Sequence, residues 1–246
     1  MGEKSTKILQ ESSRHRLGLF GDIMLRNALF RPDREAFIYG NQRITFEQYN
    51  DRVNSLIHAL WNMPMKKGDI LGALSWNCVE YADVFGAAQK GGFIIAPFNV
   101  RLSTDELYYL ISDSHASVLF VGPEVAEVAN TLKPRLPQVK HFISFEASLS
   151  GMQCHADLLA DYPSDEPQVE VNDDDPLYIC YTSGTTGRPH LRVHPIHIER
   201  NPALESISST SSGRGLMIFS LNISHQSTFF SSVTKIMGLF ISEPIA

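Results

Sequence analysis

Cysteine is scarce: Cys78, Cys154 and Cys180 are the three in 246 residues. They are odd in number, far apart and in no CxxC pair. Neither a disulfide framework nor a cysteine zinc site is therefore expected, and a reducing, cytoplasmic setting follows. Long apolar runs are also missing. The longest uncharged apolar stretches, such as residues 216–223, fall far short of the roughly 20 residues that cross a bilayer. The N-terminal MGEKSTKILQESSRHR carries charge without an apolar core, unlike a secretory signal. No basic block exists. Lys and Arg number 21 against 27 Asp and Glu, a formal net charge of −6. Nucleic-acid binding, which needs clustered cations, is excluded on that ground. There is no internal repeat.

What is present is a regular alternation of strand and helix signals. An amphipathic helix is expected over 20–30, ending before Arg31-Pro32. Strands at 36–39 and 43–45 flank Gly40-Asn41, a hairpin pair. Thr45 then caps a helix, with Gln48 as its capping-box partner. Phe46, Tyr49, Val53, Leu56, Ile57 and Leu60 recur on one face at helical spacing. A buried strand at 69–75 precedes a helix capped by Asn77, with Glu80 three residues on, and ended by Gly91-Gly92. Strand 93–96 follows, then a helix capped by Ser103 with Glu106. Strand 116–121, helix 124–133, strand 140–145 and a short helix at 156–160 complete the series. Strands separated by capped helices imply an α/β fold, a mostly parallel sheet with helices on both faces. Residues 161–175 are rich in Asp and Glu, with Pro163 and Pro167, and read as a solvated connector.

Composition divides the chain. Of the first 189 residues 41 are charged, but of the last 57 only 7 are, and eleven serines fall within 206–242. The expected organisation is an N-terminal extension at 1–19, a folded region at 20–189, and a divergent tail at 190–246, poorly packed or disordered. His190, His194 and His197 in that tail read as surface histidines rather than metal ligands, because no carboxylate or cysteine cluster joins them. Trp61, Trp76, Tyr108 and Tyr109 read as packing residues, and Cys180 as inert in a buried strand.

The chemistry concentrates in one turn. Residues 177–182, LYICYT, have the profile of a buried strand. They run into Ser183, Gly184, Thr185, Thr186, Gly187, Arg188 and Pro189. Glycines let a backbone curl and present several N–H groups to one anion. Hydroxyls on Thr182, Ser183, Thr185 and Thr186 add donors, and the Arg188 guanidinium offsets phosphate charge. The glycine spacing is too short for a GxxxxGK[ST] loop.

The ordered string YTSGTTGRP resembles the phosphate-loop signature of the adenylate-forming, or AMP-binding, superfamily of acyl-CoA synthetases, luciferases and peptide-synthetase adenylation domains. Further matches are Thr45-Phe46-Glu47-Gln48-Tyr49, Gly68-Asp69, Asn77 with Glu80, Ala88 with Gly92, Pro97 with Asn99, and Glu106-Leu107. The likeness spans about residues 20–190. Within the superfamily it is similar to fatty-acid or aryl-acid CoA ligases.

The resemblance implies a two-step ligase using ATP, Mg2+ and CoA. A small-molecule carboxylic acid, a fatty acid by this likeness, is activated as acyl-adenylate and then passed to CoA. It implies that Thr182, Ser183, Gly184, Thr185, Thr186, Gly187 and Arg188 bind the ATP phosphates. Arg188 stands where the family has Lys and keeps its charge. After Pro189 the likeness ends. The aromatic-Gly-x-Thr-Glu motif for adenine and metal, the Thr-Gly-Asp motif for ribose and the catalytic Lys are not found in residues 190–246, so no catalytic or metal-binding residue is assigned. The expectation is the N-terminal part of such an enzyme followed by unrelated sequence, inactive alone. A frameshift, a retained intron or alternative splicing would produce it. The alternative is a non-catalytic interaction or regulatory form, or a gene-model product, that keeps only the phosphate loop.

Overall fold

The computed structural model describes residues 19–146, 151–172, 174–182 and 190–195; for Phe20, Cys180, Thr182 and 190–195 the description is of the backbone. Helix α1 (Phe20–Phe30) leads into an antiparallel hairpin of β1 (Glu35–Tyr39) and β2 (Gln42–Thr45). Thr45 ends β2 and caps α2 (Phe46–Asn62). Its hydroxyl accepts from the Gln48 amide and the Gln48 side chain accepts from the Thr45 amide, closing the capping box. Tyr49, Val53, Leu56, Ile57 and Leu60 are buried on one face of α2, as their spacing predicts.

Strand β3 (Ile70–Leu74), helix α3 (Val79–Gly91) and strand β4 (Ile94–Pro97) form the first parallel unit. Gly92 ends α3 in the left-handed region (φ 70°), where a side chain would be strained. Helix α4 (Thr104–Ser114) carries a second complete capping box, between Ser103 and Glu106. It leads to β5 (Val118–Val121), which pairs parallel with β3. Beyond it come α5 (Ala126–Leu132), β6 (His141–Ser144), β7 (Gln153–Cys154), α6 (His155–Asp161), β8 (Pro176–Thr182) and β9 (His190–Pro195). The helix expected over 124–133 is shorter, with a 3-10 turn on each side, at Pro123–Val125 and Lys133–Arg135. Pro134 cannot donate the amide that would extend α5.

The seven-stranded sheet has the order β7-β6-β5-β3-β4-β8-β9. Every pairing is parallel except β8 with β9. Side chains alternate between its two faces. Leu71, Ala73, Val118 and Phe120 join the core formed with α2, α3 and Leu158 of α6. Leu74, Leu119 and Val121 join the core under α4 and α5. Phe93, Phe98 and Phe120 are fully buried; truncating one to Ala costs about 3–5 kcal/mol. Among the described residues no helix is long and apolar enough to cross a membrane.

Two expectations need correction, and a third gains detail. The cap of α3 is Cys78 rather than Asn77, because its sulfur accepts from the Tyr81 amide at 3.4 Å. Residues 190–195, grouped by composition with the tail, form β9 and pair with β8 from Pro176↔Pro195 to Thr182↔His190. Leu191 and Val193 alternate there with polar residues, a strand period that the composition break hides. The acidic connector is exposed over most of its length, as expected, but it is pinned to the domain as a strap. Its carbonyls at Ser164, Asp165 and Glu170 accept from Asn54 Nδ2 (2.9 Å), His58 Nε2 (2.9 Å) and Lys67 Nζ (2.8 Å). Glu166 pairs with the buried Lys90 at 2.8 Å, and Lys67 pairs with Asp175 at 2.6 Å.

Candidate functional site at the carboxyl edge of the sheet

Strand β8 roots the hydroxyl-rich turn. Leu177, Tyr178 and Ile179 are buried, and Tyr178 pairs parallel with Ile95 of β4. The end of β8 therefore points the same way as the carboxyl ends of β3, β4, β5 and β6. Thr182 faces His190 across the last rung of the hairpin, so seven residues close the turn between two fixed ends. Of the sequence-predicted site, Thr182 is the final residue of β8. Ser183, Gly184, Thr185, Thr186, Gly187 and Arg188 lie outside the described residues.

The topology reverses beside this edge. The chain passes from β3 to β4 on one side and then crosses back to β5 on the other. The loops leaving β3 and β5 lead to helices on opposite faces of the sheet. Such a switch point opens a crevice at the carboxyl ends of the strands, where open α/β sheets bind ligands. Its walls are close. The Gly122 amide donates to the Leu74 carbonyl at 2.9 Å, and the Trp76 amide donates to the Glu124 carboxylate. A Cβ on Gly122 would meet the Ser75 hydroxyl and lie 2.6 Å from the Glu124 carboxylate, so those side chains would have to turn aside to admit one.

Trp76 is 49% exposed, not packed in the core as its type suggests. The Arg101 guanidinium lies 5.1 Å from its ring centroid, and the Arg101 amide donates to Asn99 Oδ1 at 3.0 Å. An aromatic face and a cation thus stand together at this edge, contributed by the loops after β3 and β4. Tyr109 is likewise 40% exposed. The hint in the sequence was position: Trp76 and Arg101 each follow closely on a buried strand.

Two buried charged clusters also escaped the sequence reading. Asp83 on α3 receives the Arg52 guanidinium from α2 at 2.6 and 3.1 Å, and His155 Nε2 of α6 lies 3.5 Å from the same carboxylate. Burial raises Asp83 to about 7, against the lowering effect of Arg52. Burial lowers His155 to about 3, assisted by the Arg52 charge. Lys90 is held by Asn50 and Asn54 Oδ1, each at 2.7 Å, and by Glu166; burial lowers its pKa. The first cluster joins α2, α3 and α6, and the second ties α2 and α3 to the strap. The Cys78 thiol is pushed up to about 12, chiefly by burial, so it stays protonated and unreactive at neutral pH. Among the described residues no group of three or more His, Cys, Asp or Glu gathers to hold a metal.

Known proteins share this arrangement. The AMP-binding enzyme family model matches residues 25–196, beyond Pro189 and through β9. The long-chain-fatty-acid–CoA ligase FadD13 of Mycobacterium tuberculosis is 31% identical over 192 residues, covering 77% of this chain and 37% of that protein. The N-terminal domain of FACL13 from Mycobacterium tuberculosis superposes with a TM-score of 0.72 at 28% identity, covering 92% of this chain and 56% of that one. The anthranilate CoA ligase AuaEII, solved with anthranoyl-AMP, gives 0.69 at 26% identity, covering 75% and 36%. The chain thus spans little more than a third of the curated relative's length. The matching family model, the parallel sheet and the β8–turn–β9 hairpin together establish that the chain belongs to the AMP-binding enzyme family.

Proposed function

We propose that this chain supplies the polyphosphate-binding hairpin, and the sheet that orients it, for an AMP-forming acid–CoA ligase reaction. In that reaction a carboxylate oxygen attacks the α-phosphorus of Mg·ATP and the bond to pyrophosphate breaks. The CoA sulfur then attacks the acyl carbon, the bond to AMP breaks, and the thiol proton is lost. Amides and hydroxyls of Thr182, Ser183, Gly184, Thr185, Thr186 and Gly187 hold the β- and γ-phosphates, and Arg188 offsets their charge as pyrophosphate departs. Trp76 and Arg101 offer a stacking face and a cation to a nucleotide substrate. A fatty acid as the activated acid has its support in the likeness to FadD13.

The observation that carries this reading is the closed antiparallel rung Thr182↔His190, which anchors a Gly- and hydroxyl-rich turn at the carboxyl edge of a parallel sheet. Chemistry needs more than this. Phosphate contacts alone hold ground state and transition state alike and accelerate little. The motifs for adenine, ribose and the catalytic Lys are not found in residues 190–246, so these 246 residues alone bind Mg·ATP weakly and do not turn over.

Calorimetric titration of the purified chain with Mg·ATP tests the binding reading. Millimolar binding that Arg188→Ala weakens about tenfold is expected. No heat at 10 mM Mg·ATP would contradict it. Acid-dependent ATP–pyrophosphate exchange by the chain alone would contradict the claim that it does not turn over.

A further inference from the structure

Residue Tyr181 precedes the first residue of the proposed phosphate site. Its hydroxyl lies 3.1 Å from Asp113 Oδ2 and 3.3 Å from the Leu110 carbonyl, both on the last turn of α4. The side chain shares the face of β8 that carries Ile179 into the core under α4. Helix α4 is itself fixed. The Ser103–Glu106 capping box sets its start, and the Arg135 guanidinium lies over Tyr108 at 4.2 Å.

Asp113 is in an unfavourable place on its own helix. The C-terminal end of a helix carries partial negative charge and prefers cations. The last turn of α4 has no basic residue. Asp113 is exposed, so water solvates its charge, and within the fold it accepts from the Tyr181 hydroxyl. Burial, then this hydrogen bond, raises the Tyr181 pKa, so the phenol remains a donor across the physiological range.

We infer that Tyr181 is a positioning residue: its hydrogen bond to Asp113 fixes the root of the β8–β9 hairpin against α4, and through it the bearing of the phosphate-binding turn. The role rests on the function proposed above. β8 pairs parallel with β4 at Ile95↔Tyr178. On its other side its ladder runs to the edge strand β9. The Tyr181 hydroxyl adds a side-chain anchor to α4 one residue before the end of β8. Small displacements matter there, because misplacing phosphate donors by about 1 Å costs up to a hundredfold in rate.

The test uses the full chain with Tyr181→Phe, Asp113→Ala and Asp113→Asn. Tyr181→Phe keeps the ring and its packing and removes only the donor. Asp113→Asn keeps an acceptor and removes the charge. Hydrogen–deuterium exchange without ligand is read separately for the hairpin and for β3 and β5. Tyr181→Phe and Asp113→Ala are expected to speed exchange in residues 177–182 and 190–195 by about tenfold, the effect of losing one charge-assisted hydrogen bond. Exchange in β3 and β5 should stay unchanged, and Asp113→Asn should restore most of the protection. Mg·ATP affinity should fall with hairpin protection across the three variants. Equal acceleration everywhere, or no change in the hairpin, would overturn the inference and leave Tyr181 as general packing. If the unaltered chain binds no Mg·ATP, the proposed function fails. The exchange pattern then still decides whether Tyr181 anchors the hairpin.

Discussion

Replacing Glu166 by Ala should cost far more than its place in an acidic connector suggests. Lys90 is 6% exposed and Glu166 24% exposed, and they meet at 2.8 Å. Removing one partner of a buried pair costs about 3–5 kcal/mol, because the remaining charge is left uncompensated. The partial exposure of Glu166 places the expected loss at the low end, about 3 kcal/mol. Asn50 and Asn54 still coordinate the amine after the change, which moderates the loss. For a domain of this size about 3 kcal/mol lowers Tm by roughly 6–12 °C. Thermal unfolding followed by circular dichroism at pH 7 reads this directly. Lys90→Met should be comparably costly. The double variant should be more stable than the sum of the two losses predicts, by at least about 1 kcal/mol. A loss below about 1 kcal/mol for Glu166→Ala, or additive effects, would refute the Lys90–Glu166 clasp.

Three further outcomes follow from the same geometry. His155 is held at about 3 when folded against 6.5 unfolded. The unfolded chain therefore binds the extra proton between those values, and the His155 contribution is complete above about 6.5 and lost as pH falls toward 3. The stability advantage of the unaltered chain over His155→Phe should shrink between pH 7 and pH 5 in urea unfolding; a constant difference would contradict the burial argument. Asp83, raised from 3.8 to about 7, has the opposite sign: its contribution is complete below about 3.8 and lost as pH rises through 7. Asp83→Asn should make stability rise more steeply with pH between 4 and 7, and an unchanged slope in the same unfolding series would count against it. Arg101→Ala should leave Tm within about 1 °C, since the Arg101–Trp76 pair lies at the surface, but weaken Mg·ATP or CoA binding in calorimetry. Unaltered affinity for both would remove that pair from the site.

Local features of the sequence translated well into structure. The Thr45–Gln48 and Ser103–Glu106 capping boxes formed as read, because each is decided within four residues. The apolar face of α2 and the buried strands followed from periodicity alone. The hydroxyl-rich turn was legible as an ordered string, and the fold sets the ends that flank it side by side through Thr182↔His190. Long-range polar contacts were not legible. Lys90 reads as an ordinary cation near a helix end. Its partner Glu166 lies 76 residues away in a stretch whose composition signals solvation. Asn54 and Ser164 are 110 residues apart. Such contacts depend on where the topology lays the strap, and no local pattern encodes that. Trp76 failed for a related reason: residue type favours burial, but its place just beyond β3 puts it at the open edge of the sheet. Strand β9 was hidden because its polar residues resemble the tail that follows, and only pairing with β8 makes it a strand.

The most direct test of the account is a titration of the uniformly 15N-labelled chain with Mg·pyrophosphate, followed by amide chemical shifts. Pyrophosphate carries the charge that the turn is proposed to hold and none of the adenine or ribose. The account predicts that the amides of Ser183, Gly184, Thr185, Thr186, Gly187 and Arg188 move first and furthest, saturating in the millimolar range, with the strap and the outer strands β6 and β7 unmoved. Shifts confined to other surfaces, or none in the turn up to 10 mM, would contradict it.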